Sequence, residues 1–152
     1  MAATTAFPTS LKGELPQAMH NFTTTTGNVF KVALIRVSMA GTYGAGSTNY
    51  SNITGNSDEV TGTGYTAGGY AWTAGQNTTP ATSGTGAFWS WSTNPSWTTA
   101  SFSTTACMIY NSSSSNKAVY VGDFGGTQTV SSGTFTIVLP TNALSTSILQ
   151  IN

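Results

Sequence analysis

The chain has 152 residues and only eight formal charges, four Lys or Arg against four Asp or Glu; that is 5%, where an ordinary soluble domain carries about a quarter. Zero net charge excludes the basic footprint that nucleic acid or an anionic membrane surface would require, and a single cysteine excludes a disulfide framework or a cysteine-ligated metal cluster. The length suits one domain, residues 1–152, and neutrality combined with 11% aromatic residues argues for a folded chain rather than a disordered one.

Met1 to Ser10 has neither a charged n-region nor an apolar h-region, so no secretory signal is expected there, and no apolar run approaches a membrane span. Residues 1–17 are expected to extend as an N-terminal arm. Helical signals are confined to Ser10–His20, with Ser10 as the expected N-cap and Gly13 and Pro16 limiting any helix to one or two turns.

The remainder is patterned for strands. Val29 to Val37 is apolar on both faces, as a central strand between two packed layers would be. Asp58–Gly64 and Tyr65–Thr73 are expected as shorter strands, with Gly68-Gly69 at a turn or bulge. In Ala87–Ser92, Trp89 and Trp91 share one face by the two-residue period, and Trp97–Ser101 is expected to continue that sheet. The clearest hairpin joins Thr105–Asn111 to Lys117–Phe124 through the Ser112–Asn116 loop. Gly125-Gly126 is expected to reverse the chain before Thr127–Val130, and Ser131-Ser132-Gly133 to turn it again before Thr134–Leu139. Phe135, Ile137 and Leu139 then share one face, and Pro140 ends the strand because it lacks a donor. Ser147–Ile151 is the last expected strand. Eight or nine short strands with at most one short N-terminal helix predict an all-β chain, a single antiparallel β-sandwich of jelly-roll or Greek-key type.

Chemistry has few groups to draw on. His20 is the only histidine, no Gly-x-Ser-x-Gly elbow occurs, and His20 is expected to be structural. Asp58 and Glu59 are adjacent, so on a strand they point to opposite faces and do not form the facing pair that glycoside hydrolysis needs. Asn56 to Glu59 is too sparse for an EF-hand loop, a solvated turn being favoured there over a loop-bound calcium at Asp58, and no helical pattern follows the glycine clusters at Gly41–Gly46 and Gly62–Gly64 to make a phosphate site. No catalytic residue, metal or cofactor is therefore expected. Cys107, inside Ala106–Tyr110, is expected to be buried and inert. Trp72, Trp89, Trp91 and Trp97, with Tyr65, Tyr70 and Phe88, either form a stacking platform for sugar rings or fill the core. Core is favoured because Ser90 and Ser92 occupy the other face of the Trp89 segment.

Several motifs occur in an order that resembles a family of small virion proteins of tailed bacteriophages. They are Gly13-Glu14-Leu15 with His20-Asn21-Phe22, the strand Phe30–Val37, and Asp58-Glu59-Val60-Thr61-Gly62-Thr63-Gly64-Tyr65-Thr66-Ala67-Gly68-Gly69. Ala106–Asn111, Ser115–Val119, Asp123-Phe124-Gly125-Gly126, Gly133–Ile137 and the closing Ile148–Ile151 continue it. The resemblance spans about Gly13 to Ile151 and departs at Gln76–Ser96, which is richer in Trp, Pro and Ser. It implies a non-enzymatic virion component. The expected role is a capsid cement or decoration protein on the outer surface of the shell, a trimer bridging copies of the major capsid protein, with no nucleic acid or membrane partner. A tail or fibre component and a carbohydrate-binding sandwich are the alternatives. From composition rather than motif, contacts are expected in the arm at Phe7, Pro8 and Leu11, in the Gly41–Asn56 loop at Tyr43 and Tyr50, and, by the Gln76–Ser96 loop, at Trp97.

Overall fold

The computed structural model describes residues 1–73 and 75–151. The fold is all-β, as expected: seven strands among the described residues form two antiparallel sheets. The larger has the order β2-β1-β5-β6, from Tyr70–Trp72 (β2), Phe30–Arg36 (β1), Ser96–Asn111 (β5) and Lys117–Thr136 (β6). The smaller has the order β3-β4-β7, from Ala81–Ser83 (β3), Gly86–Trp89 (β4) and Leu149–Ile151 (β7).

β1 lies between β2 and β5, and its side chains alternate into two separate apolar clusters. Phe30, Val32 and Leu34 join Trp72, Trp89, Trp91, Cys107 and Ile109 on one face. Ala33 and Ile35 join Tyr43, Ile53, Met108 and Val121 on the other. The continuous apolar run Val32–Ile35 can only be satisfied this way, with both faces covered.

The first cluster is strongly aromatic. Trp72 stacks on Trp91 at 4.5 Å, Trp89 meets Trp91 edge-on at 4.4 Å, and Phe22 lies parallel to Phe30 at 5.1 Å. Such pairs add about 0.5–1.5 kcal/mol each beyond the area they bury. The indole N–H groups of Trp72 and Trp89 donate to the carbonyls of Thr93 and Thr78, each at 2.8 Å, so these rings sit inside without an unpaired donor.

The largest departures from expectation lie in β5 and β6. Gly125-Gly126 does not reverse the chain. Ala106 pairs with Asp123 and Thr104 with Gln128, so the extra β6 residues bulge outward while β5 runs on beside them. Gly125 takes φ +73° there, and its N–H is held by the Asp123 carboxylate at 3.0 Å. Ser131-Ser132-Gly133 is likewise a bulge, between the pairs Phe102–Val130 and Ala100–Gly133. The expected strands Thr127–Val130 and Thr134–Leu139 are therefore parts of β6, which ends at Thr136. Trp97–Ser101 belongs to β5 in the larger sheet and does not extend the Trp89 segment. The reason is packing: Phe124, Val130 and Phe135 of β6 all face the cluster containing Trp97 and Phe102, which keeps the two strands together.

Other corrections are smaller. Asp58–Gly64 makes only isolated bridges, Ile35–Glu59 and Thr63–Ser101, and Tyr65–Thr73 is a strand only over Tyr70–Trp72. Gly69 precedes β2 at φ +74°, where an added Cβ would lie 1.9 Å from the Val32 carbonyl oxygen, so the loop enters the sheet by backbone contact. The Trp89 strand is Gly86–Trp89, and its partner β3 lies in a tract expected to be loop. The Ser147–Ile151 strand is Leu149–Ile151.

The helix α1 spans Thr9–Glu14 with Pro8, not Ser10, at its N-cap, where the fixed φ of proline suits helix entry. A second, one-turn helix, α2 (Ser51–Thr54), exceeds the single helix expected. Residues 1–17 do not stand away as an arm. Ala6 exchanges both backbone hydrogen bonds with Val121, Thr4 and Tyr43 are joined, and Leu11 is buried.

Candidate functional site

Three of the four side-chain carboxylates, Glu14, Asp58 and Glu59, each accept hydrogen bonds from partners elsewhere in the chain. Asp58 follows α2 and is completely buried. It accepts hydrogen bonds from the Ala40 N–H, the Gly41 N–H at 2.7 Å, the Tyr43 hydroxyl at 2.6 Å and Arg36 Nε at 3.1 Å. Burial alone would raise its pKa, but these donors outweigh burial and hold the carboxyl down at about 2. Burial and the bond to Asp58 push the Tyr43 phenol up to about 12.

Glu59, next to Asp58 in a segment held by the isolated bridge Ile35–Glu59, has a separate set of partners. It accepts from Tyr50 at 2.5 Å, Tyr65 at 2.8 Å and the Gly68 N–H at 2.7 Å. Tyr65 also accepts the Leu34 N–H, so the phenol bridges Glu59 to β1. Tyr50 stacks on Tyr110 at 4.4 Å, and Tyr110 donates to the Gly68 carbonyl.

Glu14 closes α1 and is also buried. One carboxylate oxygen takes Lys117 Nζ and the other His20 Nε2, each at 2.8 Å. Burial raises the Glu14 pKa, and the Lys117 and His20 bonds reverse that and lower it. Asn111 donates to His20 Nδ1 at 3.0 Å and to Asn28 at 2.8 Å, which assigns the His20 proton to Nε2. This Glu–His pair has the geometry of an oriented base. Its free nitrogen faces the Asn111 amide, however, not a hydroxyl that it could activate. His20 is structural in this arrangement.

Cys107 is buried, and burial pushes its thiol up to about 12, so it is protonated. Trp72, Trp89, Trp91 and Trp97 are exposed by 0%, 2%, 3% and 6%, which withdraws them as a stacking platform. Among the described residues no group of three potential ligands could hold a metal ion.

The expected contact residues are placed mostly inside. Pro8, Leu11, Tyr43 and Trp97 are buried in the chain's own packing. Phe7 is half-buried against Tyr120 at 5.4 Å, and Tyr50 is half-buried by its stack on Tyr110. The aromatic and aliphatic character that suggested an interface is used within the monomer.

What remains at the surface is chemically distinctive. From Phe124 to Thr136, β6 carries no charge, and its exposed residues include Thr127, Gln128, Thr129, Ser131, Ser132, Thr134 and Thr136. The facing part of β5 exposes Ser96, Thr98 and Thr99. Hydroxyls bond across the ribbon from Ser96 to Thr136 at 3.0 Å and from Ser103 to Thr129 at 2.9 Å. The alternation of Thr134 and Thr136 with Phe135 and Ile137 was the available sequence signal for this face.

A scan of protein-family models, a search of curated proteins and a search of solved structures each find no match to this chain.

Proposed function

We propose that this chain is a structural component of a tailed-bacteriophage virion, a capsid cement or decoration protein that binds the outer shell and bridges major capsid proteins. The observation that carries this reading is the internal use of Glu14, His20, Asp58 and Glu59, which leaves a hydroxyl-rich, nearly charge-free surface. Such a surface is inexpensive to desolvate in permanent contacts, because hydroxyls and amides with partners avoid the larger penalty of burying unpaired ions. Charge depletion is also the compositional mark of the centre of an interface. The order of motifs from Gly13 to Ile151 supplies the virion context.

The mechanism is stabilisation by mass action. A protein that binds the mature lattice and not its ruptured form lowers the free energy of the intact shell. A trimer seated on a local three-fold axis engages several neighbours at once and gains from effective concentration. The uncharged face of the β5–β6 hairpin and the remaining surface of Phe7 and Tyr50 are the places assigned to those contacts.

The test is localisation and copy counting in purified particles by immunogold labelling and quantitative mass spectrometry. Many copies distributed over the shell are expected. A few copies at one vertex or along the tail would replace the cement reading with a tail or fibre component. A carbohydrate-binding reading would rest on Tyr65, Tyr70 and Phe88, which are half-buried, because the four tryptophans are interior.

A further inference from the structure

The first aromatic cluster does not fill all the space beside the larger sheet. A cleft of about 320 Å³ remains between that sheet and residues 137–148. Its volume falls within the roughly 300–1,000 Å³ typical of small-molecule pockets. Val32, Cys107 and Ile109 line the sheet side, Trp72 contributes an indole, and Leu139 and Ile148 line the opposite side. The covering segment is tied in place. The Ile137 N–H donates to the Pro95 carbonyl at 3.0 Å and the Leu139 N–H to Asn94 Oδ1 at 2.9 Å. Internal bonds within 141–147 hold the far end of the segment.

Three polar side chains along this cleft are already committed, and Tyr120 adds a phenol that burial keeps neutral. Trp72 Nε1 donates to Thr93, Thr146 Oγ1 to the Thr141 carbonyl at 2.8 Å, and Ser147 Oγ to Asn142 at 3.0 Å. The Cys107 thiol is protonated and neutral. Asp123 borders the cleft, but Gly122 and Phe124 on either side face it, so the Asp123 side chain projects from the opposite face of β6. A charged guest would lose hydration and find no partner, whereas an apolar guest would gain contact with a lined surface.

We infer that this cleft is a binding site for a small, uncharged apolar molecule, aromatic or hydrocarbon. The inference is independent of the virion reading, since it concerns only the cleft and its lining. It is tested by titrating the methyl-labelled full chain with p-xylene, alongside benzoate and benzylamine as charged probes of similar size, and following methyl NMR signals. Saturable shifts confined to Val32, Ile109, Ile137, Leu139 and Ile148 are expected with p-xylene, and at least tenfold weaker binding with either charged probe. Two variants fill the space from opposite sides, Ile148→Trp on the partly exposed covering segment and Ile109→Phe on the sheet. Each variant that retains a folded spectrum should bind p-xylene at least tenfold more weakly. The inference is overturned if wild-type protein gives no saturable shift or shifts elsewhere, if charged probes bind equally well, or if a folded filled variant binds unchanged.

Discussion

Lys117 and Glu14, 103 positions apart in the chain, meet at 2.8 Å where α1 lies against the start of β6. The pair fastens the N-terminal segment to the long hairpin, and His20 and Asn111 extend it into a buried network. The two ends of the ion pair differ in exposure: the Lys117 side chain is 29% exposed and that of Glu14 is 10%. Lys117→Met should therefore cost about 1 kcal/mol or less, as a partly solvated pair does. Glu14→Ala leaves His20 and Lys117 without their acceptor and should cost about 2–3 kcal/mol. Urea denaturation of the two variants checks the order, and equal losses would contradict the network.

Asp58 makes the fold sensitive to acid. Its folded pKa of about 2 lies below the unfolded value near 3.9, so the stabilisation is present above about pH 4 and is lost as pH falls towards 2. The amount at neutral pH is about 2–3 kcal/mol. Glu14, also lowered, acts in the same direction. Denaturant midpoints between pH 2.5 and pH 7 should fall steeply below pH 4, and Asp58→Asn should flatten part of that fall while lowering stability at pH 7.

Two glycines with nearly equal φ should respond very differently to alanine. At Gly69, φ +74°, the new Cβ would meet the Val32 carbonyl oxygen at 1.9 Å, and neither backbone can yield. Gly69→Ala should cost about 3 kcal/mol or more. At Gly125, φ +73°, no atom lies within 4 Å, so only the left-handed backbone penalty of about 1–2 kcal/mol applies. Thermal unfolding of both variants measures the difference.

If the hydroxyl face of the β5–β6 hairpin contacts the shell, charge placed there should remove binding without unfolding the protein. Thr127 and Thr134 are exposed, and Thr127→Glu and Thr134→Lys should each change stability by no more than about 0.5 kcal/mol. Occupancy on particles should drop at least tenfold for the double variant. Wild-type occupancy should change little between low and moderate salt, because few charges are available to be screened. Full occupancy by the charged variant would move the contact away from this hairpin.

The parts legible in sequence were those governed by neighbours along the chain. An apolar run with no polar alternation announced β1 as buried on both faces, and turn residues at Ser112–Asn116 announced the hairpin. The two-residue period placed Trp89 and Trp91 together, and the apolar surroundings of Cys107 announced its burial. Other features depended on what lay across the sheet. Whether Gly125-Gly126 reversed or bulged was decided by β5, whose Trp97 and Phe102 hold Phe135 on the same side of the core. Tyr43 was expected at a contact surface because local pattern does not reveal the distant residues that cover it. The scarcity of charge was plain from composition. Only the tertiary structure decided where the few carboxylates went, because pairs such as Lys117 with Glu14 arise from long-range packing and leave no periodic trace in the chain.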